Sequence, residues 1–405
     1  MSLSQIVLSA RKISIGICMA AVAIVLTACT STSDVTSGLS QNQQSSQTKV
    51  LSPNPAGEVI GNGNVRVTLL VPTTIPGGAA VAAKDLRNGA SMAMNDFGRG
   101  RIQLVVKDTK GQAAEAQAKA GEAVSEGSSL VLGPLFAANV SAASGVTLPG
   151  NVPILAFSTD TSVARRGVYL FSYTPQSDTQ RIASYASSLG KRSLTAFIPN
   201  NAEGSLRERI LRQTVGASGI AINVVRYDRT PESIETIVSS STEVVQSSEM
   251  VYVPEGGPLP GLILGTLERK GVNFAGKQIL GSGSWEGVKK SERILQGAIY
   301  PGRDTSRFAQ FSARYKTQFG TEPSVQAGLA YDAVTLASEL VRLHGPVRAF
   351  APGNFESARG FVGVNGAFRM QSSGITQRGL AINQIQNGAS RVIEPAVSNF
   401  SGRGS

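Results

Sequence analysis

The stretch from 129 to 161 constrains this chain more than any other, because it reads as strand, glycine turn, small-residue helix, loop and strand. Leu130, Val131 and Leu132 form a short apolar run that stops at Gly133 and Pro134, as a buried parallel strand does. Residues 139–146 are rich in alanine and serine, which lets a helix lie close on a sheet. A second apolar run, 153–157, ends in the polar cluster Ser158, Thr159, Asp160 and Thr161. Ligands of open α/β sheets sit outside the carboxyl ends of the strands. The turns 133–138 and 158–161 are therefore predicted to face one cleft, with Phe136, Ala137, Ala138, Ser158, Thr159 and Asp160 as candidate lining residues.

The flanking sequence repeats the alternation. A strand over 65–71 ends at Pro72, Thr73 and Thr74, and both threonines join the cleft candidates. A helix follows with Leu86, Ala90, Ala93 and Phe97 on one face, then a strand over 102–106 and a helix over 113–126. Such βαβα order with short links predicts a parallel sheet covered on both faces. The pattern restarts after Pro175, with strands at 194–198, 222–227, 250–253 and 278–281 and helices at 204–217, 233–246 and 259–270. A crossing strand at 298–301 precedes helices at 305–319 and 325–343. The second of these carries an apolar face of Leu329, Ala333, Leu336 and Leu340. Strands over 360–369 and 379–393 turn at Asn365-Gly366 and Asn387-Gly388. Tyr252, Trp285 and Glu286 fall at or just after strand ends, where the second half of the chain would meet the cleft.

The N-terminus carries an address. Arg11 and Lys12 precede an uncharged, mostly apolar run from 13 to 26, then Leu26, Thr27, Ala28 and Cys29. A basic start, a short apolar core and small residues before the cut describe a secretory signal, and the run is too short for a comfortable membrane span. Cys18 leaves with the signal, so Cys29 is the one cysteine of the mature chain and no internal disulfide forms. Residues 30–64 are too polar to offset their ordering entropy and are expected to be a disordered tether. The formal charge of +11 falls to +9 when Arg11 and Lys12 are removed, since 1–28 hold no acid. That surplus is spread in pairs such as Arg165-Arg166 and Lys289-Lys290, without interleaved aromatics, so nucleic acid is not an expected partner.

Catalytic motifs do not survive inspection. Gly271 through Lys277 is spaced like a P-loop, but Gln278 replaces the magnesium-binding hydroxyl and the run precedes a strand. His344, the only histidine, sits beside Gly345 and Pro346 where a cation complements a helix dipole. Zinc and serine-hydrolase patterns are missing, and Ser188 with Lys191 lacks the companion motifs of a β-lactamase. The chain is expected to be no enzyme and to use no cofactor or metal.

Taken together, the residues resemble the type I periplasmic binding proteins, with the Leu/Ile/Val-binding branch nearest. The resemblance rests on the run from Leu70 through Gly89 and Ala90 to Asn95, and on Gly133-Pro134. It extends to Phe157-Ser158-Thr159-Asp160, to Ala330-Tyr331-Asp332-Ala333, and to the closing segment Gly363 through Arg369 with Arg378. It implies a two-lobed α/β fold with parallel sheets, helices on both faces and three crossover strands near 174, 301 and 360. Lobe one would comprise 65–174 plus 302–360, lobe two 175–301 plus 361–394, and 395–405 a flexible tail. Leu26 to Cys29 is similar to the bacterial lipobox, which implies cleavage after residue 28 and a lipid on Cys29. Thr30 stands where an inner-membrane retention Asp would be, so outer-membrane sorting facing the periplasm is implied. Within the family, Phe157 to Asp160 is most like the penicillin-binding-protein activators, lipoproteins that contact and stimulate peptidoglycan synthases. The alternative is a substrate-binding lipoprotein of an ABC importer for branched-chain amino acids or a related small solute. Amino-acid receptors hold the zwitterion with hydroxyls where this chain has Ala137 and Ala138, and with an Ala-Thr pair where it has Thr159 and Asp160.

Overall fold

The computed structural model describes residues 49–303 and 305–400. The signal sequence, Cys29, the tether up to residue 48 and residues 401–405 lie outside the described residues. In chain order the first half lays down β1 (Glu58–Ile60), β2 (Val65–Val71), α1 (Gly78–Ala93), β3 (Ile102–Asp108), α2 (Ala113–Ser125), β4 (Leu130–Leu132), α3 (Ala137–Thr147), β5 (Ile154–Ala156) and β6 (Val168–Leu170). These strands form one sheet in the order β1-β3-β2-β4-β5-β6, parallel except for β1. Every residue of β2, β4 and β5 is buried, which is why they read as unbroken apolar runs rather than alternating ones.

The second half adds α4 (Pro175–Ser187), β7 (Ser193–Pro199), α5 (Ala202–Thr214), β8 (Ala221–Tyr227), α6 (Pro231–Ser240), α7 (Thr242–Ser247), β9 (Met250–Val253), α8 (Leu259–Arg269), β10 (Gln278–Gly281) and β11 (Ile299–Gly302). The chain then returns through α9 (Thr305–Phe319), α10 (Val325–Arg348) and α11 (Pro352–Phe355). A three-stranded sheet of β12 (Phe361–Gly363), β13 (Gly366–Met370) and β14 (Thr376–Arg378) precedes β15 (Ala381–Gln386) and β16 (Ala389–Glu394). The second large sheet has the order β16-β15-β11-β10-β9-β7-β8, with its parallel centre edged by the antiparallel β15 and β16. The result is the two-lobed α/β fold that the family resemblance implies, with the covered parallel sheet that the alternation predicts.

The α10 stripe does what its spacing predicts. Leu329, Ala333, Leu336 and Leu340 are all buried in the first core with Leu86 and Ala90 of α1. Each leucine so buried contributes roughly 1.5–3 kcal/mol. Gly89 lets the two helices touch, because a Cβ there would lie 1.9 Å from the Ala327 carbonyl oxygen. Gly133, at φ +83°, plays the same part at the sheet end, where a Cβ would lie 2.2 Å from the Leu70 carbonyl oxygen.

Several expectations change. Phe97 leaves the buried face because α1 ends at Ala93 and a wider turn, Met94–Gly98, follows; its ring is 43% exposed and edges onto Tyr331. Part of the expected tether is ordered: β1 pairs with β3, the buried Lys107 ammonium donates to the Ala56 carbonyl at 2.6 Å, and the buried Arg66 guanidinium donates to Ser52 at 2.7 Å. Local polarity cannot show such anchors, since they lie far away in sequence. The tail also docks up to Phe400, whose ring lies 4.9 Å from the Arg369 guanidinium. Residues 361–378, expected with the second lobe, pack Phe368 and Met370 into the first core. The helix expected over 233–246 is two, and α10 runs on to Arg348 across a break at Gly345. The short strands β6 and β14 were not anticipated.

Candidate functional site: the interlobe cleft

Between the carboxyl ends of the two large sheets lies a cavity of about 360 Å³. The first half supplies Phe157 and Thr159 after β5 and Ser172 and Tyr173 after β6. The second supplies Asp178 from the first turn of α4, Glu203 and Arg207 from α5, and Gly283, Ser284 and Glu286 after β10. Arg303, just past β11, and Leu329 of α10 complete the walls.

The charged groups are already engaged with one another. The Arg207 guanidinium, 2% exposed, sits 2.7 Å from Asp178 Oδ1 and 2.9 Å from Glu203 Oε1. It also donates to Thr179 Oγ1 at 2.7 Å and Tyr252 Oη at 3.1 Å. Burial alone would lower its pKa, but the Asp178 carboxylate, with Tyr252 and Glu203, holds it well above the usual arginine value. Burial pushes the Tyr252 phenol up to about 12. Asp178 accepts a further hydrogen bond from the Gly283 amide at 3.0 Å, so one carboxylate ties α4 to the loop after β10. Opposite, Glu286 accepts from the Arg303 amide at 2.8 Å and from its Nε at 3.0 Å, while the guanidinium lies 4.5 Å from the Phe308 ring centre.

The chain crossings behind the cavity are knotted together. Tyr173 donates its hydroxyl to the Asn365 carbonyl at 3.0 Å, and Asp332 of α10 accepts from the Val364 and Asn365 amides at 2.7 and 3.1 Å. Burial pushes the Asp332 carboxyl up to about 6, although the Arg378 guanidinium and these amides pull it down. Arg378 is itself buried among the rings of Phe171, Tyr173 and Phe368, each 4.8–5.2 Å away. The sequence motifs around Asp332, Asn365 and Arg378 thus belong to the crossings and not to the cavity wall.

Of the residues expected in the cleft, Thr159 and Glu286 line the cavity. Ser158 lies behind it, its carbonyl accepting from Ser172 Oγ at 2.6 Å. Thr73 and Thr74 are exposed and bind Asp108 through an amide at 2.9 Å and a hydroxyl at 2.6 Å, outside the lining. Phe136 is half-buried, Ala137 opens α3, Ala138 is exposed, and none of the three is a lining residue. Asp160 caps the short turn Thr161–Val163 by accepting from the Ser162 amide at 2.9 Å. Tyr252 is buried beneath Arg207 and does not line the cavity.

Trp285, expected at the cleft lip, is wholly buried in the second core. Its Nε1 donates to the Val253 carbonyl at 3.0 Å, and its ring fills the space that a side chain at Gly281 would occupy. Its emission is therefore expected to be blue-shifted and resistant to acrylamide in the native state, reporting unfolding of the second sheet rather than cleft closure. Ready quenching in the native state would contradict this placement. Sequence reasoning missed Asp178, Arg207 and Arg303, because a charged residue on a helix or after a strand carries no mark of burial.

A periplasmic binding protein family model matches residues 64–389. The chain belongs to the type I periplasmic binding protein family. No curated protein matches significantly by sequence. Among solved structures, it is similar to a putative branched-chain amino acid ABC transporter protein from Rhodospirillum rubrum, at TM-score 0.70 and 17% identity over 81% of this chain and 99% of that one. A leucine binding protein from Thermotoga maritima matches at TM-score 0.60 and 17% identity over 82% and 98%. An ABC transporter solute binding protein from Rhodopseudomonas palustris, solved with 3,4-dihydroxybenzoic acid, matches at 0.59 and 16% over 82% and 96%. At these identities the likeness speaks for the fold. Proteins of this family are exported to the periplasm and typically bind without catalysing, and no helix among the described residues is long and apolar enough to cross a membrane.

Proposed function

We propose that the protein is a non-enzymatic, periplasm-facing lipoprotein, anchored through Cys29 in the outer membrane, that regulates peptidoglycan synthesis by contact with a bifunctional penicillin-binding protein. The observation that carries this reading is the pairing of the cleft charges. Arg207, Asp178 and Glu203 form one cluster and Arg303 and Glu286 another, so a zwitterion entering the cavity meets carboxylates and guanidiniums already in ion pairs, with Arg303 Nη1 alone among these guanidinium nitrogens buried and unpartnered among the described residues. Of the hydroxyls nearby, Ser172 donates to the Ser158 carbonyl and Thr174 caps α4, while the Thr159 and Ser284 hydroxyls and the Gln326 amide stay unpaired among the described residues. A family member whose cleft charges are spent on one another is better suited to signalling through its outer surface.

The test is a glycan-polymerisation assay with a purified bifunctional penicillin-binding protein. Adding the mature chain is expected to raise the rate, and Thr159→Ala inside the cleft should leave that gain intact. No association and no rate change would sink the regulatory reading. A second reading, a solute receptor of an ABC importer, is favoured by the cavity of about 360 Å³, which falls within the ~300–1,000 Å³ range of small-molecule pockets.

A further inference from the structure

A second cavity, of about 390 Å³, lies beneath the amino ends of the first sheet, at the opposite end of the strands from the cleft. Ser129, Pro153 and Gly167, which directly precede β4, β5 and β6, form its roof. Leu148, Val152, Val347 and Phe350 give it apolar walls, and the ordered segment at Lys49 and Leu51 closes one side. Its polar character is one-sided. Lys49 and Arg348 both line it, and none of the described lining residues is an aspartate or glutamate.

Neither cation is neutralised by a carboxylate among the described residues. Lys49 is half-buried, and its ammonium donates to the Ser128 carbonyl at 2.9 Å. Burial lowers its pKa, the response of a charge removed from water without a counter-ion. Arg348 is exposed at the mouth, past the break at Gly345 that turns the end of α10 over the cavity.

We propose that this cavity binds a fatty acid, with its carboxylate between Lys49 and Arg348 and its first methylenes against Leu148, Val152 and Phe350. The volume is that of a small-molecule pocket, and two unneutralised cations beside apolar walls match a single-chain carboxylate better than a neutral or cationic amphiphile. Each methylene buried strengthens binding by about fourfold, so chain length should matter until the cavity is full.

Calorimetry with decanoate, kept below its micelle-forming concentration, tests this on the mature chain. One decanoate per chain is expected to bind at roughly 10–100 μM, with octanoate weaker by about sixteenfold and decanol by about tenfold. Lys49→Gln with Arg348→Gln should weaken decanoate by about tenfold or more. Val347→Glu, which sets an acid at the exposed mouth, should do the same and serves if the double variant melts early. Absence of saturable binding, equal affinity for decyltrimethylammonium, or decanoate binding unchanged in folded variants would each overturn the proposal.

Discussion

Asp178→Ala is expected to lower the unfolding free energy by about 3–5 kcal/mol, read as a shift of the urea midpoint at unchanged slope. The carboxylate is the nearest charged partner of a guanidinium that is 2% exposed, and its removal leaves that buried charge to Glu203, which is itself 38% exposed. The Gly283 amide loses its acceptor in the same step, which costs about 1–3 kcal/mol if water does not replace it. Asp178→Leu combined with Arg207→Met should recover the part of the loss owed to the uncompensated charge but not the part owed to the Gly283 amide. A single-variant loss below about 1 kcal/mol would mean that water reaches Arg207 in the native protein.

How much of this was legible in the sequence follows from where the information lies. β2, β4, β5 and the α10 stripe were readable because burial on every side, or on one helical face, leaves a period in the residues themselves. β1 was not, since Glu58–Ile60 owes its place to pairing with Leu104–Val106 and to neighbouring chain held by Lys107 and Arg66. In the cleft, Thr159 and Glu286 were found by the rule that ligands sit beyond strand ends. The same rule misplaced Trp285, which folds back under β10 into the gap left by Gly281. Arg207 and Arg303 resemble solvent-facing cations until their tertiary partners are known.

Those partners decide what the cleft can hold. A free branched-chain amino acid needs donors for its carboxylate and acceptors for its ammonium. For a charged partner in this cavity it would have to draw Arg303 from Glu286, at 3.0 Å, or Arg207 from Asp178, at 2.7 Å, or rearrange the wall to reach Arg303 Nη1, which is buried and has no partner among the described residues. The turn after β4 adds no partner, since Ala137 and Ala138 carry no hydroxyl and lie outside the cavity lining. Each partner so lost or missing costs about 1–3 kcal/mol, and two of them weaken binding by orders of magnitude. Isothermal titration of the purified mature chain with leucine, isoleucine and valine measures this directly. The account predicts no binding tighter than roughly millimolar, whereas saturable binding near 1 μM would contradict it and make the cleft the site of an importer's receptor.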